Sequence, residues 1–398
     1  MADVFEFYGA IKAMKETDKF KPVSSVTYQS GWVNKTTNFN VVSGFNRVMC
    51  QAKGGMWKDD KKNSVKTFSK STTDENGKVT KGEPITIAWD KRSDPSEVER
   101  VAGFRRYIVD LGNKKMRYAL QRIVESGTIT EEQQMETGCD TVEAAKEALE
   151  KSNNRRKVFI AESDFAEYCA KLVQSDKIAG SKFKITGDYE VQYSPDKQKF
   201  YTNYHVRRIE LMGDDVEEKL NLKVDFYFGA DAWDDSSYAE NEKVFVNGFV
   251  KYYDNSVKEF GFKPMTLVIT GTEKKVNALK KKFACDSGEI KCINLNLDVV
   301  DGSERKEIRL EDLDPEVQDD ISMGILDFET VKREMGGGIA GPRVQELRFA
   351  GLGSTKGAQE TVYTEDDMHP AVMKASEDEK EEEDDTDIDL FSDDEDEL

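Results

Sequence analysis

The sequence predicts a β-dominated α+β protein with small barrels or sandwiches, helical insertions and a disordered acidic tail. Short apolar runs separated by Gly and Asn turns fill residues 26–89, a pattern typical of small all-β units. Residues 183–193 alternate between apolar and polar side chains, as a strand with one buried face does. Residues 377–398 hold fifteen Asp or Glu and one Lys, a net charge of −14. Such a segment cannot bury enough apolar surface to offset its ordering entropy.

The amino-terminal part of the chain is predicted to hold an arm, a barrel region and a connector. Residues 1–23 are expected to form the arm. Residues 24–125 are predicted to form a β-barrel region that continues into a basic helix, because Val98, Phe104 and later apolar residues recur at helical spacing. Residues 126–156 are polar and rich in Glu and Lys, and we expect a helix-bearing connector there.

Residues 157–275 are predicted to form a second β-barrel or hairpin region. The alternating strand over 183–193 is followed by the turn 194–197, where a proline presets φ and an aspartate can bond the backbone beyond it. The return strand over 199–211 changes the parity of its apolar residues halfway along. We predict a β-bulge near Arg207 and Arg208, because one extra residue would restore the parity.

The carboxyl-terminal part is predicted to hold a module, a linker and the tail. Residues 276–335 are predicted to form an α/β module with a C-terminal helix. Residues 336–376 are rich in Gly, Ser and Thr and are expected to be a flexible linker. The acidic tail contains a short apolar island around Leu390 and Phe391. A tethered polyanion with an apolar bait is expected to compete with nucleic acid and to recruit partner proteins; the alternative is a tail that only confers solubility.

Several classes of protein do not fit the composition. No apolar run approaches the about 18 residues that span a bilayer, and early acidic residues argue against a secretory signal. Five widely spaced cysteines favour reduced thiols and a cytoplasmic location over a disulfide framework. With only two histidines, the chain has no closely spaced pairs of zinc ligands, and no metal site is predicted.

The sequence does not favour an enzyme or a cofactor. Gly336, Gly338 and Gly341 match the spacing of a dinucleotide-binding loop, but a predicted helix precedes them and Pro342 follows at once. Two histidines also leave no convincing Ser–His–Asp or Cys–His arrangement. A carboxylate-bound Mg²⁺ nuclease stays open as an alternative, because the chain holds 78 acidic residues.

The positive signal is the interleaving of aromatic and basic residues on predicted strands. Residues 1–125 hold 23 Lys or Arg against 15 Asp or Glu, a net of +8 in a chain of formal net charge −20. Grooves that bind single-stranded nucleic acid combine such cations with rings on which bases stack. The alternatives are that the rings fill a barrel core and that the cations are solvated surface residues. The candidate binding residues are Trp32, Lys35, Phe39, Arg47, Lys53, Trp57, Lys66, Phe68, Trp89, Arg92, Arg105, Arg106, Tyr107, Tyr193, Lys197, Lys199, Tyr201, Tyr204 and Arg207.

Several segments resemble the single-stranded-DNA-binding proteins encoded by tailed phages of Gram-positive bacteria. They are Ser30–Asn34, Phe39–Val41, Ser43–Arg47 with Gly54–Gly55, and the hairpin over 182–211. The resemblance implies OB-type barrels that bind single strands in a basic groove during DNA replication, recombination and repair in the host cytoplasm. It also implies a tail that docks on a helicase, polymerase or recombinase through Leu390 and Phe391. In such tails the aromatic residue is often terminal, whereas seven residues follow Phe391 here.

Two alternative functions and several properties stay open at this point. The chain could be a structural or scaffolding phage protein without nucleic-acid binding, or a metal-dependent nuclease. No motif distinguishes a preference for DNA from one for RNA, because that depends on recognition of the 2′-OH. Whether the chain holds one OB-like barrel or two is also open.

Overall fold

Among the residues that the structure describes, fifteen strands form one large sheet that closes on itself twice, and the other four form two separate two-stranded sheets. The computed structural model describes residues 4–73, 77–213, 215–306, 309–334 and 339–373. The strands are β1 Val4–Ala13, β2 Val23–Thr27, β3 Trp32–Ser43, β4 Asn46–Trp57, β5 Ser64–Phe68, β6 Thr72–Thr73, β7 Val79–Thr80, β8 Pro84–Ala88, β9 Tyr107–Asp110, β10 Arg156–Phe159, β11 Lys182–Ser194, β12 Lys199–Leu211, β13 Lys219–Phe228, β14 Trp233–Asp234, β15 Lys243–Asp254, β16 Glu259–Thr270, β17 Lys291–Lys306, β18 Ile339–Leu352 and β19 Gln359–Glu360. The helices are α1 Pro95–Arg100, α2 Lys114–Ser126, α3 Glu131–Thr137, α4 Val142–Asn154, α5 Glu162–Val173, α6 Tyr238–Asn241, α7 Glu273–Lys280, α8 Pro315–Ser322 and α9 Phe328–Glu334.

The first closure, barrel one, has five strands in the order β1-β3-β4-β12-β11, and β11 returns to β1. The β4–β12 pair is parallel, and the others are antiparallel. Helix α5 connects β4 to β11 and packs on β3 and β4, where Thr37 Oγ1 donates a hydrogen bond to the Ala166 carbonyl at 2.9 Å. This strand order, with a helix between the third and fourth strands, is that of an OB fold.

The second closure, barrel two, repeats this arrangement. Its order is β13-β15-β16-β18-β17, and β17 returns to β13. The β16–β18 pair is parallel, and α7 lies between β16 and β17. Strands β1 and β13, the first of each barrel, pair antiparallel from Val4↔Lys223 to Tyr8↔Lys219 and join the two barrels. The predicted β-dominated α+β class is therefore confirmed, with two OB-like barrels.

Period-two alternation of apolar residues builds the shared core. In β13, Leu220, Leu222, Val224 and Phe226 are buried, while the residues between them are at least partly exposed. One continuous cluster runs from barrel one into barrel two. Each fully buried Leu, Val or Phe contributes about 1.5–3 kcal/mol relative to leaving its side chain in water.

A long insertion, residues 58–161, separates β4 from α5 in barrel one. Its first part is the β5–β8 hairpin, which has a small core with Val65, Ile87 and Val101. Its β9 pairs parallel with β12 at the edge of barrel one, and β10 pairs with β9. Helices α2–α4 pack around a separate core that includes Leu120 and Ile123. The insertion therefore forms a second body of structure beside the barrel.

Three predicted segments differ from the structure. The predicted arm is mostly β1, because Phe5, Phe7 and Ile11 alternate inward at the centre of the sheet. The predicted basic helix is interrupted by β9, whose Tyr107 is buried. The predicted flexible linker contains β18, which closes barrel two through β16 and β17.

The predicted division between the two barrel regions also differs from the observed one. Barrel one takes β1, β3 and β4 from the first predicted region or the arm before it, and β11 and β12 from the second. The predicted α/β module over 276–335 contributes β17 to barrel two. These pairings join segments far apart in sequence, and local patterns do not encode them. The acidic tail lies outside the described residues.

The predicted bulge in β12 is confirmed. The β11–β12 register shifts between Thr186 and Gly187, opposite Arg208 and Val206, so that Arg207 is the extra residue. Gly187 is required there because a Cβ would lie 1.8 Å from the His205 carbonyl oxygen. All five cysteines lie in the described part of the chain, and no disulfide joins them. No helix among the described residues is long and apolar enough to cross a membrane.

Candidate nucleic-acid interface

The outer face of barrel one presents a row of polar residues on β12. Tyr201, Asn203, His205 and Arg207 follow each other along one side of the strand, and the core residue Val206 points the other way. His205 Nε2 lies 3.2 Å from Gln51 Oε1 on the neighbouring β4 and 3.4 Å from the Glu190 carboxylate on β11. Burial lowers the pKa of His205, and Glu190 opposes that shift. These four residues form a polar surface on barrel one, which we call the floor.

A cavity of about 290 Å³ lies between this floor and the insertion. We call it the groove; it brings together side chains that are distant in sequence. Its lining residues are Gly55, Ser64, Val65, Lys66, Thr67, Trp89, Arg105, Tyr107, Ile160, Ala161, Glu162 and Arg207. Five of them, Lys66, Trp89, Arg105, Tyr107 and Arg207, are predicted binding residues. The groove therefore places three cations and two rings around one space.

The inner end of the groove is a charge-paired cluster. The Tyr107 hydroxyl donates to the Glu162 carboxylate, and Arg207 forms an ion pair with Asp188. Arg207 Nη1 also lies 3.4 Å from the Tyr107 oxygen. Burial and the neighbouring Glu162 raise the pKa of Tyr107. Because Tyr107 is buried, it forms a wall of the groove rather than a platform for stacking.

Trp89 and Arg92 form a fixed pair at the base of the insertion. The Arg92 guanidinium carbon lies 4.2 Å from the Trp89 ring centroid, and Arg92 Nε donates to Asp164 of α5 at 2.8 Å. This ion pair fastens the insertion to the helix of barrel one. Of the two side chains, Trp89 lines the groove.

Arg105 lies between two rings at the rim of the groove. Its guanidinium carbon is 5.2 Å from the Phe68 centroid and 5.3 Å from that of Phe104. Phe104 is 65% exposed. The helical spacing predicted Phe104 to face inward, but residues 103–105 form a short 3₁₀ turn that directs it outward. Its position beside two arginines was the signal for a surface role. Arg106 donates instead to the Glu99 and Val101 carbonyls and supports the turn.

Trp32 and Trp57 form a second aromatic pair on the barrel face. They lie directly opposite each other on β3 and β4, with ring centroids 5.2 Å apart in an edge-to-face arrangement. The Trp32 ring covers Gly55, where a Cβ would lie 2.0 Å from Trp32 Cζ2. Gly55 also lines the groove. The tryptophan pair therefore adjoins the groove, and each ring is partly exposed.

Two predicted binding rings face the barrel interior: Phe39 belongs to the core, and the partly buried Tyr204 packs against it. Phe39 is fully buried. Tyr204 packs at 4.9 Å from the Phe7 centroid and 5.3 Å from the Phe5 centroid. Both were included because they lie among basic residues in sequence, but strand parity turns them into the barrel. Neither can stack on a base in this conformation.

The remaining predicted residues lie outside the groove. Lys35 pairs with Glu167 of α5 at 2.8 Å, and Lys53 lies 3.7 Å from Glu190. The exposed Arg47 stands at the β3–β4 turn. At the β11–β12 hairpin, Tyr193 packs on Phe200 at 4.8 Å, and the amines of Lys197 and Lys199 lie 6.0 and 5.8 Å from the Tyr201 ring centroid. Leu390 and Phe391 lie outside the described residues. Among the described residues, no group of three His, Cys, Asp or Glu side chains is placed to hold a metal ion.

Comparison with known proteins gives similarity at the level of solved structures. No protein-family model matches the chain, and no curated protein does. The wild-type single-stranded DNA binding protein from Thermus aquaticus is similar at 10% identity and a TM-score of 0.28, over 75% of this chain and 85% of that one. A deletion mutant of that protein is similar at 12% identity and a TM-score of 0.27, over 79% of this chain and 98% of the other. At this identity and TM-score, the similarity does not identify the function of the chain.

Proposed function

We propose that the protein binds single-stranded DNA, without strong sequence preference, in the groove between barrel one and the insertion. The observation that carries the proposal is the convergence of Lys66, Arg105 and Arg207 with the partly exposed Trp89 around one cavity. Cations that pair with phosphates and rings that accept stacked bases are the two components of non-specific single-strand sites. Phe68 and Phe104 at the rim extend the stacking surface.

The charges in the groove set what kind of ligand fits. Glu162 and Asp188 already pair with Tyr107 and Arg207, so the inner end offers little free positive charge. Lys66 and Arg105 have no ion-pair partner among the described residues, and both are exposed. We infer that phosphates run along the outer rim and that bases point inward. Stacked bases contribute about 1–3 kcal/mol each, and each phosphate contact adds about 0.7 to the salt slope.

The proposed cellular role is to coat single-stranded DNA during phage replication, recombination and repair. Under this proposal the acidic tail recruits a helicase, polymerase or recombinase through Leu390 and Phe391. The residues that precede the tail pack on barrel two, which supports this role. Ala371 is fully buried on barrel two, and the His369 carbonyl accepts a hydrogen bond from the Phe262 amide at 2.9 Å. Residue 377 follows six residues after this anchor.

A fluorescence-anisotropy titration with a labelled oligonucleotide tests the binding proposal. The Arg105→Gln variant should bind more weakly, with a salt slope reduced by about 0.7 and a similar loss for different base sequences. Arg122→Gln, at an exposed position on α2, is the matched control and should bind as the unmodified chain does. Absence of binding by the unmodified chain at low salt would refute the proposal and favour the scaffolding alternative. Cleavage of the oligonucleotide with Mg²⁺ or Mn²⁺ would favour the nuclease alternative.

A further inference from the structure

We propose a second single-strand contact on barrel two, at the β15–β16 hairpin, which receives the same strand that occupies the groove. The surface comprises Lys251, Tyr253 and Phe260, and we call it the hairpin patch. None of these residues emerged from the sequence patterns. The proposal rests on the proposed function and extends it by adding a stacking site for bases beyond the groove.

The first observation is a pair of exposed rings on barrel two. Tyr253 and Phe260 are directly paired across the hairpin, with ring centroids 5.0 Å apart. They are 45% and 48% exposed, whereas Phe226, Phe228 and Phe262 of the same barrel are fully buried. An edge-to-face pair of exposed rings offers flat apolar surface to a base at little cost in side-chain entropy.

The second observation is a cation fixed at the rings. Lys251 Nζ lies 4.0 Å from the Phe260 centroid and 5.0 Å from that of Tyr363, and it donates to the Tyr363 hydroxyl at 2.6 Å. A lysine held over a ring can neutralise a phosphate whose base stacks nearby. The exposed Lys258 lies in the turn of the same hairpin.

The third observation is a cleft of about 490 Å³ between the patch and β11 of barrel one. Its lining also includes three carboxylates, Asp188 and Glu190 on β11 and Asp225 on β13. Asp188 pairs with Arg207, and Asp225 accepts a hydrogen bond from Asn294 at 2.6 Å. Carboxylates repel phosphates but accept hydrogen bonds from the amino groups of bases. The cleft is therefore suited to the base side of a single strand, with its backbone on the lysine side.

The fourth observation is continuity with the floor of barrel one. Phe200 of the β11–β12 hairpin contacts Tyr252 of β15, with ring centroids 5.9 Å apart at 88°. The next residue after Phe200 is Tyr201, which is 39% exposed and begins the polar row that ends at Arg207. The next residue after Tyr252 is Tyr253. The exposed rings of Tyr201 and Tyr253 therefore belong to adjacent barrels. Each directly follows one member of the Phe200–Tyr252 contact in sequence.

The row and the patch together require a long ligand. Arg207 lies six residue steps after Tyr201, and at about 3.3 Å per step the row spans about 20 Å of strand. A single OB barrel accommodates about 4–16 nucleotides. A strand that fills the groove must continue past Tyr201 before it meets the hairpin patch. Only oligonucleotides longer than the groove should therefore gain affinity from the patch.

The test compares short and long oligodeoxycytidylates on the full chain, because cytosine carries an amino group from which the carboxylates of the cleft can accept hydrogen bonds. Oligomers of about 10 and about 30 nucleotides are titrated against the unmodified chain, a Tyr253→Ala/Phe260→Ala variant and a Tyr118→Ala control. Tyr118 is an exposed ring on α2, outside both surfaces. We expect the double variant to lose about 5- to 100-fold in affinity for the long oligomer, the loss of one stacked base. Its affinity for the short oligomer should be unchanged.

The outcomes separate this proposal from the proposed function. Equal loss of long-oligomer affinity in the double variant and the control, or none in either, would overturn the hairpin patch while leaving the groove intact. If the unmodified chain binds neither oligomer, the proposed function itself fails. Should the double variant unfold, ultraviolet crosslinking of the unmodified chain to the long oligomer decides the matter. Crosslinked peptides must then include 251–260, and their absence contradicts the proposal.

Discussion

At the scale of single residues, aromatic side chains take opposite roles according to where the backbone places them. Phe39 and Trp89 both stand among basic residues in sequence. Phe39 points into barrel one and is fully buried, whereas Trp89 lies in a turn of the insertion and lines the groove. Substitution of each should therefore produce a different loss.

We expect substitution of Phe39 to lower stability and substitution of Trp89 to weaken binding. Phe39→Ala should lower the free energy of unfolding by about 3–5 kcal/mol, because it leaves a cavity in the barrel core. Trp89→Ala should instead weaken single-strand binding by about 1–3 kcal/mol, since a stacking ring is lost. Denaturant unfolding and anisotropy titration of both variants measure the two quantities. Unchanged binding by a folded Trp89→Ala variant would remove Trp89 from the site.

His205 gives the polar floor a predictable pH dependence. Burial lowers its pKa below the ordinary value of 6.5. Between 6.5 and the lower folded value, the unfolded chain binds a proton that the folded chain does not. Stability should therefore fall as pH falls through that window, and remain level below it as far as this group is concerned.

The measurement is the melting temperature between pH 7.5 and pH 5, at about half-unit steps. His205→Gln keeps a polar side chain next to Gln51 and Glu190 but cannot titrate. The variant should show a shallower decline than the unmodified chain over this range. Parallel curves for the two proteins would show that His205 carries none of the dependence.

At the scale of elements, the bulge between β11 and β12 aims Arg207 at the groove. Gly187 permits the bulge, because the His205 carbonyl occupies the place of a Cβ. Phe5 Cε1 would lie only 2.9 Å from that Cβ, so the core offers no room either. The element therefore depends on one glycine.

We expect Gly187→Ala to destabilise the fold by at least about 1–3 kcal/mol, the usual cost of overpacking, and to weaken binding by displacing Arg207. Gly351→Ala, on β18 and outside the groove, is the matched control, because a Cβ there would meet nothing within 4 Å. Thermal unfolding and anisotropy measure the two effects. A Gly187→Ala variant as stable as the control would contradict the steric argument.

At the scale of the whole molecule, the last described residues anchor the chain on barrel two. Strand β18 closes barrel two, and Ala371 packs on Gly261, where a Cβ would lie 2.2 Å from the Ala371 nitrogen. The segment expected to be a flexible tether is thus part of the fold. A tail that starts close to the barrels has a high effective concentration at a basic surface.

Removal of 377–398 should tighten single-strand binding, most at low ionic strength, because competition by a net charge of −14 is screened by salt. The same truncation should abolish recruitment of replication proteins. Phe391→Ala should abolish recruitment without tightening DNA binding, which separates the polyanion from the apolar bait. Equal affinities with and without the tail at low salt would reduce it to a solubilising segment.

Truncation after residue 338 should have a different result from truncation after 376. The shorter chain lacks β18 and the buried Ala371, which leaves β16 and β17 with unpaired edges in barrel two. We expect it to lose cooperative unfolding of that barrel, whereas the chain ending at 376 should melt as the full chain does. Circular dichroism melts compare the three lengths. Identical melts for all would show that β18 is dispensable.

The sequence by itself determined the features that depend on local pattern. Alternation identified β11, the turn 194–197 and the bulge at Arg207, because side-chain parity is a property of neighbouring residues. The same reasoning placed Lys66, Trp89, Arg105 and Arg207 among the candidate residues that the groove brings together. Interleaved rings and cations are visible without knowledge of the fold.

Only the tertiary structure decided which strands form each barrel and which rings face outward. The parallel pairs β4–β12 and β16–β18 join segments far apart in sequence, and no local signal specifies such partners. Phe39 and Tyr204 were predicted to bind DNA, but the closed barrel buries Phe39 and packs the partly buried Tyr204 against Phe7. Phe104 was predicted to face inward, but a 3₁₀ turn exposes it. Tyr253 and Phe260 were not selected from the sequence, because their exposure depends on how the strands of barrel two pair. Burial depends on non-local packing, and composition constrains it only weakly.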